Sequence, residues 1–554
     1  MKMVKSLVLG SAAALVVVGG AQAADLPVKA KAVEYVRVCS LYGAGFWYIP
    51  GTDTCIKIGG YLRADLTING AIYDGPFWNG EGGIRDRYAN FYNARSRLAL
   101  QIDTRTATEY GVVRTFGQED IQFSTYGATS SMGLAGSVLP SAANGQVNND
   151  TAGNGYVATE YLFLQFAGFT FGKSSSAYAT PWNGYPGNNS SFLIGGYDSV
   201  TGVNNVQYTA QFGNGVSVSV GVDESSASNF NRTQIINAIG GVPGGSIGFG
   251  GAATSYATAT GTAYGGTSVP DFVANLKVDQ AWGLFQLSGA IHDDHAGYFS
   301  NANIPNGVLG VVGASQAGAV NSGHPDDKFG GAVTAALNIK NLPTGPGDDI
   351  KVEGTWSLGA SKYVLATSSS TPSSFDIYQG QRLAMGVVTD SIYSGASATN
   401  ALTQQQLTRG WGVRGAFNHN WDPYWSTSLF GGIAGLSYNS TAKTLYCNAY
   451  SSTAGIAIAG TGNVTTGVAG NPAAMTPGST CDPGFTVSEI GLVTRWTPVK
   501  NLTFSVEALY AYLKTNMSGS AVATPSSALP LAATTYTYGS NGTASLNLRV
   551  QRNF

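Results

Sequence analysis

The chain of 554 residues is poor in charge: Asp, Glu, Lys and Arg make up 11 % of it, against about 25 % in an average soluble domain. Its formal net charge is −2, and no basic cluster occurs along it, so nothing points to a nucleic-acid partner. Long apolar runs are missing too. The one candidate, Leu7 to Gly20, falls short of the roughly 20 residues that a spanning helix needs. It follows Lys2 and Lys5 and precedes Ala21-Gln22-Ala23, the order of a secretory signal ending in a small-residue cleavage motif. Residues 1–23 are therefore read as a signal peptide, with cleavage between Ala23 and Ala24. Cysteine is scarce, with four residues. None has a neighbour at metal-ligand spacing, which argues against a zinc site. Export makes disulfides the simpler reading. Proximity pairs Cys39 with Cys55 and Cys447 with Cys481, one of three possible connectivities.

What the chain does have is 75 glycines, 29 tyrosines and 23 phenylalanines, residues of strands, turns and interfacial girdles. A mean hydropathy of +0.02 fits a wall whose two faces cancel. The decisive pattern is period-two alternation. Ile56, Ile58, Gly60, Leu62, Ala64, Leu66 and Ile68 share one face, and Lys57, Tyr61, Arg63, Asp65 and Thr67 the other. This segment is longer than the usual strand of about 5–6 residues and long enough to cross a bilayer at a tilt. Sixteen such segments follow one another, most of them paired around short turns such as Gly213-Asn214-Gly215 and Trp421-Asp422-Pro423-Tyr424. Two weaker pairs centre on Thr104–Thr108 and Ala167–Gly168. Between pairs lie long polar stretches near 69–93, 124–155, 175–202, 224–269, 293–328, 360–409, 439–484 and 514–542. Strict alternation of short and long connections is the asymmetry of an outer-membrane barrel. A compact soluble domain seldom carries loops this long. The fold class expected is all-β: a transmembrane antiparallel β-barrel of about sixteen strands, with short periplasmic turns and long extracellular loops. A sheet can cross hydrocarbon only if it closes on itself, and sixteen strands leave room for a channel. The last segment, Ala544 to Val550, alternates as well and the sequence closes on Phe554. Trp282, Trp421, Tyr424, Trp425 and Trp496 fall at short turns, where an aromatic girdle belongs.

After the signal the chain reads Val33-Glu34-Tyr35-Val36-Arg37-Val38-Cys39, then Tyr42-Gly43-Ala44-Gly45 and Tyr48-Ile49-Pro50-Gly51-Thr52-Asp53-Thr54-Cys55. This opening resembles that of the alphaproteobacterial (rhizobial-type) outer-membrane porin family, including its two cysteines. The ending Arg549-Val550-Gln551-Arg552-Asn553-Phe554 is similar to that family's last strand. The resemblance implies a trimeric diffusion channel in the outer membrane, without a cofactor or catalytic residues, whose third outer loop, here about 175–202, folds into the pore. Residues 24–55 are expected to form an N-terminal periplasmic segment and 56–554 the barrel. The present loops are longer than that family's.

In such a channel, inward charges set the field and a folded loop narrows the passage. By alternation Lys57, Arg63, Asp65, Arg95, Arg97 and Asp103 face the lumen. Arg63, Arg95 and Arg97 are the candidates for a basic wall at the constriction; ordinary lumen lining is the simpler alternative. Lys351, Glu353, Arg414, Arg495, Glu507 and Arg549 are expected to line the wall elsewhere. The loop 175–202 holds several aromatic residues but one acid, Asp198. A basic wall facing it points to weak anion preference, or to tolerance of neutral and aromatic solutes. The rivals are a solute-selective channel, a surface adhesin or receptor built on the loops, and a barrel hydrolase using His419 with Ser426 or Ser428. Ala167 to Ser174 approximates a phosphate loop but lacks the first glycine and the following helix. His292-Asp293-Asp294-His295 offers metal-ligating residue types, although a solvated loop start is the plainer reading.

Overall fold

The computed structural model describes residues 37–70, 92–124, 155–182, 186–188, 193–225, 233–238, 263–299, 322–365, 374–395, 401–452, 473–523 and 534–554. The expected signal peptide and its Ala23–Ala24 junction lie outside these residues. The chain divides into two units, 1–56 and 57–554.

In the first unit the strand Trp47–Tyr48 pairs with Ile56 and Cys55. Cys39 and Cys55 form a disulfide. They bury a small core with Phe46, and Tyr42 and Tyr48 pack against it.

The second unit is built on sixteen strands of 6 to 17 residues. They begin with β1 (Cys55–Ile68), β2 (Tyr92–Thr108), β3 (Gly111–Ser124) and β4 (Tyr156–Phe166). Next come β5 (Phe169–Ser174), β6 (Val203–Gly213), β7 (Val216–Asp223) and β8 (Asp271–Gln280). They continue with β9 (Gly283–Asp294), β10 (Lys328–Lys340), β11 (Asp349–Leu358) and β12 (Arg409–Asn420). The last are β13 (Trp425–Ser437), β14 (Phe485–Val499), β15 (Leu502–Thr515) and β16 (Asn541–Asn553). Each pairs with its neighbours in sequence. β16 also returns antiparallel to β1, from Tyr61 opposite Asn553 to Ile68 opposite Leu546. The sheet therefore closes and leaves no unpaired edge.

Burial follows the alternation and inverts the soluble rule. Leu62 is 57 % exposed and Trp411 43 %, whereas Asp65 is 5 % and Glu507 2 % exposed. Large apolar side chains thus face outward, where lipid would cover them, and charged ones face inward. Trp282, Trp421, Tyr424, Trp425 and Trp496 are all outwardly exposed. Trp425 stacks on Trp496 across β13 and β14, with ring centroids 5.9 Å apart.

The short turns carry the register. Ala167 and Gly168 both take positive φ, 50° and 86°, between the directly paired Phe166 and Phe169. A mirror-image turn of this kind matches the strand twist. A Cβ at Gly168 would press on the Tyr208 ring at 2.9 Å. The apparent phosphate loop is therefore a hairpin turn running into β5. The first weak hairpin turns at Glu109-Tyr110, between the paired Thr108 and Gly111, slightly beyond the position expected.

The long connections differ most from expectation. Strands Ser374–Gln379, Arg382–Val387, Ala473–Met475, Ser520–Ala523 and Thr534–Tyr538 form a five-stranded sheet. Ile235–Asn237, Ser391–Ser394 and Thr403–Leu407 form a three-stranded one. The helix Ser440–Ser452 begins at Asn439, whose side chain accepts the Ala442 N–H at 2.8 Å, a normal N-cap. Cys447 on this helix is bridged to Cys481. Phe375, Leu383, Met385, Tyr446, Met475, Leu513 and Tyr536 share one core. These loops read as polar because their apolar alternations, Phe375/Ile377 and Leu383/Met385/Val387, are short and sit in Gly- and Ser-rich surroundings.

Candidate pore lining and constriction

Closure of the barrel puts the first and last strands side by side, and this builds the basic wall. Asp65 on β1 lies opposite Arg549 on β16. Arg549 Nε donates to Asp65 Oδ1 at 2.5 Å, and Arg95 Nε on β2 donates to Asp65 Oδ2 at 2.8 Å. Arg63, two residues along, faces Gln551 and donates to its Oε1 at 2.8 Å. Its guanidinium lies 4.4 Å over the Tyr61 ring. Arg97 forms ion pairs with Asp120 on β3 and with Glu160 on β4, the latter at 2.9 Å. It also donates to Gln122 Oε1 at 2.6 Å.

Arg63, Asp65, Arg95 and Arg97 thus share one wall, and Arg549 joins them rather than lining a distant stretch. The basic patch is interleaved with acids. Asp65, Asp120 and Glu160 answer most of its charge, and Arg63 is held by an amide instead of a carboxylate. Asp120 and Glu160 were not among the sequence candidates. Asp120 alternates with Gln118 and Gln122 on the buried face of β3, which was the available signal. Lower on the wall Asp103 takes both Arg105 and Arg114, at 2.9 and 3.0 Å. Lys57 lies near the start of β1 and is exposed.

The opposite wall carries the loop after β5. Its described residues trace a path along the inside of the barrel. Ser176 bonds Asp223 on β7 at 2.5 Å, and the Ala177 carbonyl accepts from Asn275 on β8 at 2.5 Å. The Ala179 carbonyl accepts from Gln286 on β9 at 3.0 Å, and the Tyr178 hydroxyl meets Thr334 on β10 at 2.6 Å. Trp182 Nε1 then donates to Glu353 on β11 at 3.1 Å. Asn188 reaches Glu507 on β15 and Asn547 on β16. On the return, the Ile194 N–H donates to Glu489 on β14 at 3.2 Å. Arg414 on β12, paired with Glu353 at 2.6 Å, donates to the carbonyls of Leu193 and Tyr197. Glu353, Glu489 and Glu507 therefore accept hydrogen bonds from the loop. Burial and nearby carboxylates push the Tyr197 hydroxyl well above its ordinary range, so it stays neutral. Asp198 is buried and accepts the Val200 N–H at 3.0 Å.

The barrel does not bring together the His419–serine pair of the hydrolase alternative. His419 alternates with the outward Trp411 and Val413, whereas Ser428 is fully buried on the inner face, bonded to Asn418 and Arg495. Ser426 shares the inward parity of Ser428. His419 pairs with Asp348 at 2.6 Å instead.

A family model described as a porin subfamily matches residues 25–540. The chain belongs to this porin family. Porin Omp2b of Brucella suis is 34 % identical to it over 239 residues, which cover 42 % of this chain and 58 % of the relative. The Brucella melitensis form matches over the same share. The alignment thus spans little more than half the length of these relatives. Among solved structures, the outer membrane channel DcaP of Acinetobacter baumannii superposes with a TM-score of 0.51 at 13 % identity, covering 92 % of this chain and 99 % of that one, which is a likeness of fold. Family and closed barrel together make the porin an outer-membrane β-barrel protein.

Proposed function

We propose that this porin is a water-filled channel through which small hydrophilic solutes and ions diffuse passively across the outer membrane. The observation that carries the proposal is the closed sixteen-stranded wall whose inner face carries polar or charged side chains on every strand and along which one loop runs from β7 to β16. A soluble barrel would have no use for a polar interior inside an apolar exterior. The constriction lies between that loop and the arginine wall of Arg63, Arg95 and Arg97. Arg63 leaves a small positive excess there, so selectivity is weak and tilted toward anions. The porin works as a homotrimer, consistent with its family. Liposome swelling tests this. Vesicles holding the protein admit neutral sugars at rates that fall with solute size and do not saturate. Uptake of one solute class with saturation would instead favour a selective channel.

A further inference from the structure

A second buried cluster sits at the outer rim, away from the arginine wall. His292 and Asp294 end β9, Asp271 opens β8, Tyr264 precedes β8, and Asp390 belongs to the connection between β11 and β12. His292, Asp271, Asp294 and Asp390 are all 0 % exposed. One ligand atom each from His292, Asp294 and Asp390 lie within 4.8 Å of one another.

The protons in this cluster do not suffice. His292 Nδ1 lies 2.7 Å from Asp271 Oδ1, so in the neutral ring its N–H is directed there and Nε2 carries the lone pair. The Tyr264 hydroxyl touches Nε2 at 2.8 Å, Asp390 Oδ2 at 2.9 Å and Asp294 Oδ1 at 3.3 Å. One hydroxyl proton cannot serve three acceptors. Asp294 Oδ2 is buried with no hydrogen-bond partner among the described residues. The backbone beside that oxygen is Gly359, where a Cβ would collide with it. Charge is unbalanced as well. Asp271 takes Lys362 at 2.6 Å, whereas among the described residues the hydrogen-bond donors to Asp294 and Asp390 are neutral: Tyr264, Ser361 and the Thr233 N–H. Uncompensated carboxylates are costly in a buried site.

We infer that His292, Asp294 and Asp390 bind one divalent first-row metal ion, of the Zn²⁺ or Mn²⁺ class, with Tyr264 beside them. A nitrogen and carboxylate-oxygen set suits such ions better than the all-oxygen cages of Ca²⁺ or Mg²⁺. Asp271 plays the orienting part that a carboxylate behind a ligating histidine usually plays. The site differs from the four-residue motif read in the sequence. Asp293 binds Ser268 at 2.6 Å, and His295 pairs with Asp327 at 2.9 Å. Because Asp390 holds the N–H groups of Thr233 and Ser361, the ion clamps the three-stranded outer sheet to the barrel rim.

The test uses folded full-length protein in detergent, stripped with EDTA, then exposed to Zn²⁺ or Mn²⁺ and desalted. The expected result is one retained ion per chain by elemental analysis, with slower proteolysis of the outer loops. Asp271→Asn is expected to weaken uptake about 10–100-fold, and Asp294→Asn to abolish it. His295→Gln, outside the cluster, is expected to leave it unchanged. No retained ion on stripped wild-type protein overturns the inference. So does uptake that survives Asp294→Asn or disappears with His295→Gln. None of these readouts depends on conductance, so they stand apart from the channel proposal.

Discussion

Reversing the charge of Arg63 tests the electrostatics of the constriction. Its guanidinium is held by Gln551 and Tyr61, while Arg95, Arg97 and Arg549 each have a carboxylate. An ion passing about 6 Å away in a water-like dielectric feels about 0.7 kcal/mol from one unit charge. Arg63→Glu changes the charge by two units, so each permeant ion shifts by about 1.4 kcal/mol before screening. In 0.1 M salt, with a Debye length of about 10 Å, roughly half survives. That changes the occupancy of each ion about threefold, in opposite directions for anion and cation, and the selectivity ratio about tenfold. Arg63→Gln is expected to give about a third of that ratio change, near threefold. The assay is the reversal potential across a planar bilayer in a salt gradient. Arg63→Glu moves it to clear cation preference. An unchanged potential in both variants, with conductance intact, would refute the placement of Arg63 at the narrow point.

Other outcomes follow from the same geometry. A charge on the outer face is costly and one on the inner face is not. Leu492→Arg, on the exposed side of β14, is expected to lose about 2–4 kcal/mol, and Thr209→Arg, half-buried on the inner face of β6, much less, as read by urea unfolding from vesicles. Replacing Cys447 and Cys481 by serine removes a bridge across 34 residues, worth about 4 kcal/mol in the chain-entropy model. Protease should then cut the outer loops faster while the heat stability of the barrel changes little. The Asp348 carboxyl resists protonation. Desolvation would raise its pKa, but hydrogen bonds from Thr344, the Asn420 N–H and His419 outweigh this and hold it at about 2. The stability its charge contributes is therefore present above the unfolded value near 3.9 and lost as pH falls toward 2. Asp348→Asn should flatten acid unfolding in that range, and an unaltered profile would remove the group from the explanation.

Much of the barrel was legible because a membrane wall imposes period two on every strand, and the chain from Ile56 to Ile68 or from Ile490 to Trp496 shows it directly. The inward set Arg63, Asp65, Arg95 and Arg97 came from the same parity. Their partners did not. Asp65 meets Arg549 only because β16 closes on β1, and no local pattern states that register. Glu160 sits on β4, where apolar and polar residues mix, and its pairing with Arg97 skips β3 altogether. The outer sheets were missed for another reason. Ser374–Gln379 and Arg382–Val387 are each six residues long, too short to stand out, and their core is assembled from segments far apart in sequence. The metal-binding residue types at His292–His295 were visible, but Asp390 and Tyr264 reach His292 through tertiary contacts alone.

The most direct measurement is single-channel current from the purified protein in a planar lipid bilayer with symmetric salt. An open channel gives large, stable, ohmic steps, and a trimer closes them in threes. Silence from folded, detergent-stable protein would contradict the diffusion channel. The folded layer of outer loops would then become the functional surface, as in an adhesin or receptor.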